Sequence, residues 1–202
     1  MEKLRREGRW ILALLVTLTA SCAVLIPVSQ AQDLNATVIG QMAGTWDVQQ
    51  RMWTGPGAAP IDLPPAIAHR HIIGGAFLEE VMDLAPETKA DPFTRIAYFN
   101  YNRVNQQYEY CSIDTRAPQM MTERSYESNI GSRSGDHNPI SLYGGSFVAP
   151  RWGEARNVPF RYRIVIAPVE SGRQIVRLFL TGLTENGSSE FLAFEYVYTL
   201  RP

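Results

Sequence analysis

The densest group of reactive side chains is His69-Arg70-His71, followed by the adjacent acids Glu79-Glu80. On a strand His69 and His71 would share a face, about 7 Å apart at about 3.3 Å per residue, a spacing that can chelate one metal. A cupin-type centre wants a glutamate three or four residues further on, where this chain has Gly74 and Gly75, and Glu79 lies too far along. His137, the only other histidine, falls in a polar loop, so the histidines read as lining a cavity or facing solvent and no metal is expected. Glu79 and Glu80 must point to opposite faces of a strand and cannot act as a carboxylate pair. One of them can face inward, to bind a ligand or pair with Arg70 or Arg95; a solvated edge plus one core salt bridge is the blander alternative.

Cys111 sits mid-strand between Tyr110 and Ser112, with Glu109 and Ile113 on its own face. Nothing local would lower its pKa, so it reads as a buried structural cysteine. No nucleophile elbow, phosphate loop or dinucleotide fingerprint occurs, and no cofactor is expected. The aromatic residues say more. Trp53, Tyr98, Phe99, Tyr101, Tyr108, Tyr110, Tyr126, Tyr143, Phe147 and Trp152 can line a cavity for an apolar or aromatic ligand, oriented by His69, Arg95 or Arg163. The candidate ligand-binding set is Trp53, His69, His71, Glu79, Arg95, Tyr98, Tyr110 and Arg163; no catalytic residue is assigned.

These side chains must be held by strands. Leu34, Val38, Ile39 and Met42 follow a helical period, predicting one short helix over 33–42, and from Gly44 onward the period shifts towards two. Ten strand candidates follow, near 44–53, 66–74, 76–83, 93–101, 106–115, 118–126, 140–148, 158–167, 174–183 and 189–200, ended by Gly, Pro, Asn or Asp. Asn102-Arg103-Val104-Asn105, Glu170-Ser171-Gly172 and Glu185-Asn186-Gly187 read as tight turns, and Gly74-Gly75 as a sharp bend. Thr54 to Pro65 reads as a proline-stiffened loop and Ser128 to Pro139 as a mobile crossover. Alternation puts Trp46, Val48, Gln50 and Met52 on one inner face and Phe160, Tyr162, Ile164 and Ile166 on another. The last strand is apolar on both faces, which implies cover from the helix or a partner. A single antiparallel barrel of about eight to ten strands is the fold expected.

The N-terminus reads as an export signal. Lys3, Arg5, Arg6 and Arg9 precede an apolar core from Trp10 to Ile26, and Ser29-Gln30-Ala31 supplies the small residues of a cleavage site. The apolar run is too interrupted for a spanning anchor. Lipidation at Cys22 is the weaker alternative, because Thr19 stands where leucine is usual and an apolar run follows the cysteine; Glu7-Gly8-Arg9 argues against a twin-arginine signal. Removing residues 1–31 leaves residues 32–202 as one domain, periplasmic or secreted, with fifteen basic against eighteen acidic residues. That balance disfavours nucleic acid and anionic membrane surfaces as partners. Cys111 then has no disulfide partner in the chain, and stability rests on burial.

The runs Gly44-Thr45-Trp46, Arg51-Met52-Trp53, Pro56-Gly57-Ala58-Ala59-Pro60 and Ile72-Ile73-Gly74-Gly75-Ala76-Phe77-Leu78-Glu79-Glu80, with the closing Tyr198-Thr199-Leu200-Arg201, make a distinctive set. The chain resembles the secreted bacterial lipocalin-like family catalogued as domain of unknown function 1579, over nearly all of residues 40–201. It departs where Phe99-Asn100-Tyr101-Asn102 replaces a glycine-tyrosine-aspartate-asparagine turn and where a loop insertion begins at Gly131. The resemblance implies a calycin-type barrel in which Trp46, after Gly44, packs at a closed end under Arg201, a contact that can contribute ~0.5–2 kcal/mol. It carries no chemistry.

Three functions remain open from the sequence. The leading one is an exported barrel that binds a small hydrophobic or amphipathic molecule, at the end away from Trp46, among the loops after Trp53 and Ser128. The others are an isomerase, cyclase or hydrolase using cavity His, Glu or Tyr, and a protein-interaction module with a solid core.

Overall fold

A computed structural model of the chain describes residues 37–125, 138–183 and 189–202. The residues read as an export leader, Cys22, the start of the expected helix, Tyr126, His137, most of the segment 128–139 and the expected turn at Glu185-Asn186-Gly187 lie outside the described residues.

Ten strands follow one helical turn at residues 37–40: β1 Gly44–Met52, β2 Ile61–Ile73, β3 Phe77–Leu84, β4 Thr94–Asn102, β5 Gln107–Asp114, β6 Ala117–Arg124, β7 Ile140–Trp152, β8 Ala155–Ile166, β9 Arg173–Gly182 and β10 Glu190–Leu200. Each pairs antiparallel with its neighbours in sequence, and β10 returns to β1 to close the barrel. No helix among the described residues is long and apolar enough to cross a membrane.

All ten expected strand windows hold a strand, with two corrections of extent. The segment read as a proline-stiffened loop enters β2 at Ile61, so Pro64 and Pro65 lie within a strand. A register shift between Val48 and Gln50 accommodates them there. Proline has no N–H to give, but its carbonyl still accepts. Pro64 accepts from Gln50 Nε2 at 2.8 Å and Pro65 from Ala85 N at 3.0 Å. The β7–β8 hairpin also runs further than alternation suggested, to a turn at Gly153 with φ 58°.

The turn chemistry follows side-chain type. Asn102 Oδ1 accepts from the backbone N–H groups of Val104 and Asn105, and Ser171 and Gly172 both hold positive φ. Gly74 and Gly75, at φ 57° and 68°, form the β2–β3 hairpin turn.

Alternation fills the interior in two clusters. The larger gathers Trp46, Val48, Ala68, Met82, Phe99, Ile164 and Tyr198, with Ile39 and Met42 closing that end. The helical turn therefore plugs the barrel and does not cover the outer face of β10. On that face Glu195 is bracketed by Arg51 at 2.9 Å and Arg177 at 2.8 Å. The smaller cluster gathers Phe160, Tyr162, Leu180 and Ala193, with Phe147, Trp152, Phe191 and Phe194 against them.

Among the described residues one seam is short: β6 and β7 share two registered pairs, Glu123 with Gly144 and Arg124 with Tyr143, where every other seam has six or more.

Candidate functional site

Register decides which charges enter the barrel. Trp46 faces inward and stands opposite Ala68, which places Arg70, opposite Gly44, on the same inner face two residues on. Across β2 and β3 Arg70 faces Glu80, and across β3 and β4 Met82 faces Arg95, so both guanidiniums and the carboxylate meet inside. All three are buried, at 8%, 5% and 8% exposure for Arg70, Glu80 and Arg95.

Their contacts form one network. Arg70 Nε donates to Glu80 Oε2 at 2.7 Å, and its NH1 donates to Gln174 Oε1 at 2.6 Å. Arg95 NH1 donates to Glu80 Oε1 at 3.0 Å, and its NH2 donates to the Tyr110 hydroxyl. The Tyr198 hydroxyl donates to Glu80 Oε1 at 3.5 Å, and Gln174 Nε2 is satisfied by the Ala167 carbonyl at 2.9 Å. The Arg70 guanidinium lies 3.9 Å from the Tyr198 ring centre and 5.4 Å from that of Trp46. Arg95 lies 5.2 Å from the ring centre of Tyr196.

Burial opposes charge on each member, yet attraction wins. Desolvation would raise the Glu80 pKa, but Arg70 and Arg95 hold it below the usual carboxylate range. Desolvation would lower the Arg70 pKa, and Glu80 keeps it above the ordinary value; Arg95 is held well above by Tyr110 and Glu80 against the same penalty. Burial, then the charge of Glu80, pushes the Tyr198 hydroxyl up to about 12, and burial raises Tyr110 despite Arg95. At neutral pH the cluster therefore holds two cations, one anion and protonated phenols, an excess of one positive charge and of donors. Beside it lies a cavity of about 30 Å³, lined by the cluster and by Met42, Leu78, Phe99, Ile166 and Val176. It has room for roughly two water molecules.

The polar cavity thus sits at the Trp46 end, not at the opposite end where the sequence placed function. Trp46 is fully buried and its Nε1 donates to the Met42 carbonyl at 3.0 Å. The guanidinium over its indole is that of Arg70. Arg201 instead reaches the exposed Asp47, at 2.6 Å, on the outer surface.

Of the eight candidate ligand residues, Arg95 and Tyr110 belong to the cluster. His69 and His71 face outward and are exposed, the first against Thr45 Oγ1 at 3.2 Å and the second against Glu79 at 2.9 Å. Glu79 also accepts from the Tyr98 hydroxyl at 2.7 Å on that outer surface. Arg163 lies outside as well, paired with Glu190 at 2.6 Å and 4.4 Å from the Phe179 ring centre. Trp53 is half-buried past the end of β1, its N–H donating to the Ala193 carbonyl. Tyr98 and Tyr143, at 41% and 39% exposure, do not line the interior. Cys111, read as buried, is half-buried opposite the outward Tyr98, and desolvation followed by the charge of Glu123 raises its thiol pKa. No group of three or more metal-ligating side chains occurs among the described residues.

The expected pairing of one glutamate with Arg70 or Arg95 is met by Glu80, with both arginines, while the candidate ligand set held Glu79, which faces outward, and left out Arg70 and Gln174. The usable signal was Ala66 and Ala68 in step with Arg70, small residues that leave interior space for a long side chain.

A second buried carboxyl, Glu123, is 1% exposed, and the Tyr162 hydroxyl is the polar group beside it. Burial pushes its pKa up to about 8, with the Tyr162 hydroxyl and Arg95 only partly offsetting that. Gly144 stands opposite Glu123, and a Cβ there would overlap the Tyr162 ring, so only glycine fits at this pair.

A family model described as a protein of unknown function, DUF1579, matches residues 35–196. Among curated proteins none matches. Among solved structures, Rv2717c from M. tuberculosis is similar in fold, at 12% identity and a TM-score of 0.54, covering 83% of this chain and 98% of that one.

Proposed function

The chain belongs to the DUF1579 family of proteins of unknown function, and from that premise we propose that its barrel binds a small amphipathic carboxylate. The head would take up the excess positive charge of Arg70 and Arg95, and the apolar part would lie against Leu78, Phe99, Ile166 and Val176. The observation that carries this reading is the buried pair of guanidiniums sharing one carboxylate beside a cavity. Charge-assisted hydrogen bonds to a carboxylate are among the stronger polar contacts available to a protein. Because the cavity is far below the roughly 300 Å³ of a typical ligand site, binding has to displace the Met42 plug or the tyrosine side chains. The leader read from the sequence would put this binding outside the cytoplasm.

Titration calorimetry with octanoate and 1-octanol tests the reading. Octanoate should bind one to one at neutral pH, with 1-octanol weaker by ~tenfold or more. Arg95→Met should abolish the preference for the acid. Absence of saturable octanoate binding up to about 1 mM, or equal affinity for the alcohol, would overturn it.

A further inference from the structure

The two ends of the barrel are closed in different ways. Towards Trp53, whose N–H meets Ala193, the closure is the wall itself: Phe147, Trp152, Phe160, Tyr162, Leu180, Phe191 and Phe194 all belong to the long strands β7 to β10. Opening that end means unzipping ladders, and β7 and β8 alone share ten registered pairs. Between Trp46 and Trp53 a strut also joins strands that are not neighbours. Arg116, in the turn between β5 and β6, donates from NH1 to Gln50 Oε1 on β1 at 3.1 Å and lies 3.7 Å from the Phe93 ring centre.

The Trp46 end is closed by residues 37–43, which belong to no strand. Their backbone hydrogen bonds stay within the segment: Gln41 N to the Thr37 carbonyl, Met42 N to that of Ile39 and Ala43 N to that of Gly40. The segment can therefore swing as a unit without breaking a ladder pair. Val38, Ile39 and Met42 seat it on the core, and Trp46 Nε1 ties it to β1 through the Met42 carbonyl at 3.0 Å. Met42 also lines the cavity beside Arg70 and Arg95, so lifting the segment uncovers that cavity directly. The chain enters β1 at Gly44, whose φ of 130° side chains rarely allow and where a Cβ would stand 2.7 Å from Leu200 Cδ1.

We propose that residues 37–43 are a lid, hinged at Gly44 and latched by the Trp46 indole, and that ligand enters the barrel beneath it and not at the Trp53 end. What enters rests on the carboxylate reading above; the lid itself rests on the hinge, the latch and the cavity. A few residues at the end of an element are enough to absorb such a swing.

The test compares the wild type with Ile39→Ala, which loosens the seat of the lid, and Leu180→Ala, which makes a comparable cavity at the other end. NMR hydrogen exchange of the Trp46 indole N–H in ligand-free protein reads the latch. Ile39 leaves the core when the lid opens, so Ile39→Ala should speed that exchange ~tenfold or more. Leu180 stays buried in the open-lid state, so Leu180→Ala should leave it unchanged. Equal acceleration by both variants would mean that the indole exchanges only when the whole barrel unfolds, and would overturn the proposal. Octanoate mixed rapidly with the same proteins should bind at a rate that levels off with concentration, at a plateau raised by Ile39→Ala and not by Leu180→Ala. A plateau raised by Leu180→Ala alone would move the entrance to the other end, which also overturns it. If octanoate shows no saturable binding the carboxylate reading fails, and the indole exchange decides the lid by itself. Ile39→Val and Leu180→Val give the same signs if an alanine variant fails to fold.

Discussion

Glu80 and Glu123 are both interior glutamates, at 5% and 1% exposure, and they stand in opposite states. Glu80 lies between two guanidiniums and stays ionised; Glu123 has no ion pair among the described residues and holds its proton at neutral pH. Burial is equally severe for both, so the difference comes from partners alone. The lesson is that one barrel interior holds a charged group around Glu80, near Trp46, and a neutral one around Glu123, which stands opposite Tyr110 across β5 and β6.

The largest test of that contrast is Glu80→Gln. Removing the shared carboxylate leaves two buried guanidiniums uncompensated, and urea unfolding should show a loss of about 3–5 kcal/mol. Glu123→Leu should cost far less, within about 1 kcal/mol at neutral pH, because a poorly satisfied buried polar group disappears together with its weak contact to Tyr162. If both substitutions destabilise alike, the two groups are not different in kind.

Next in size is the pH dependence. The folded pKa of Glu123, about 8, lies above its ordinary 4.5, so the folded state binds the extra proton between those values. Wild-type stability should therefore fall as pH rises through that window, by at most about 1.4 kcal/mol per unit. Glu80 works in reverse: its folded pKa is lowered, and its contribution is lost as pH falls below the usual glutamate range. Glu123→Gln should flatten the decline between pH 4.5 and about 8 in urea midpoints measured across pH, and leave the loss below the usual glutamate range intact. The smallest effect belongs to Arg201→Ala. Its ion pair with Asp47 is on the surface, and the melting temperature should not move.

The fold was legible because alternation and turn chemistry are local. Asn102, Ser171 and Gly172 name their own turns, and Phe160 to Ile166 name their own face. The site was less legible because it depends on register between strands. His69, Arg70 and His71 are equally plausible inward residues until Gly44 is known to stand opposite Arg70. The same holds for Glu79 and Glu80. The cover of Trp46 was sought on the last strand, from the family resemblance, whereas the arginine comes from β2. Glu123 carried no motif at all: its state follows from what fails to surround it.

The seam between β1 and β10 has a consequence for how the protein is made. Arg201 N bonds to the Thr45 carbonyl at 2.9 Å, and Leu200 stands opposite Trp46, so the first strand synthesised waits for the last. Long-range closure of this kind is slow compared with local hairpin formation. On the ribosome, nine strands can zip in order while the Trp46 side stays open. Tyr198, which covers Arg70, arrives only with β10. A chain stalled before β10 would carry two arginines facing water, and a quality-control protease would meet an open sheet with both edges bare.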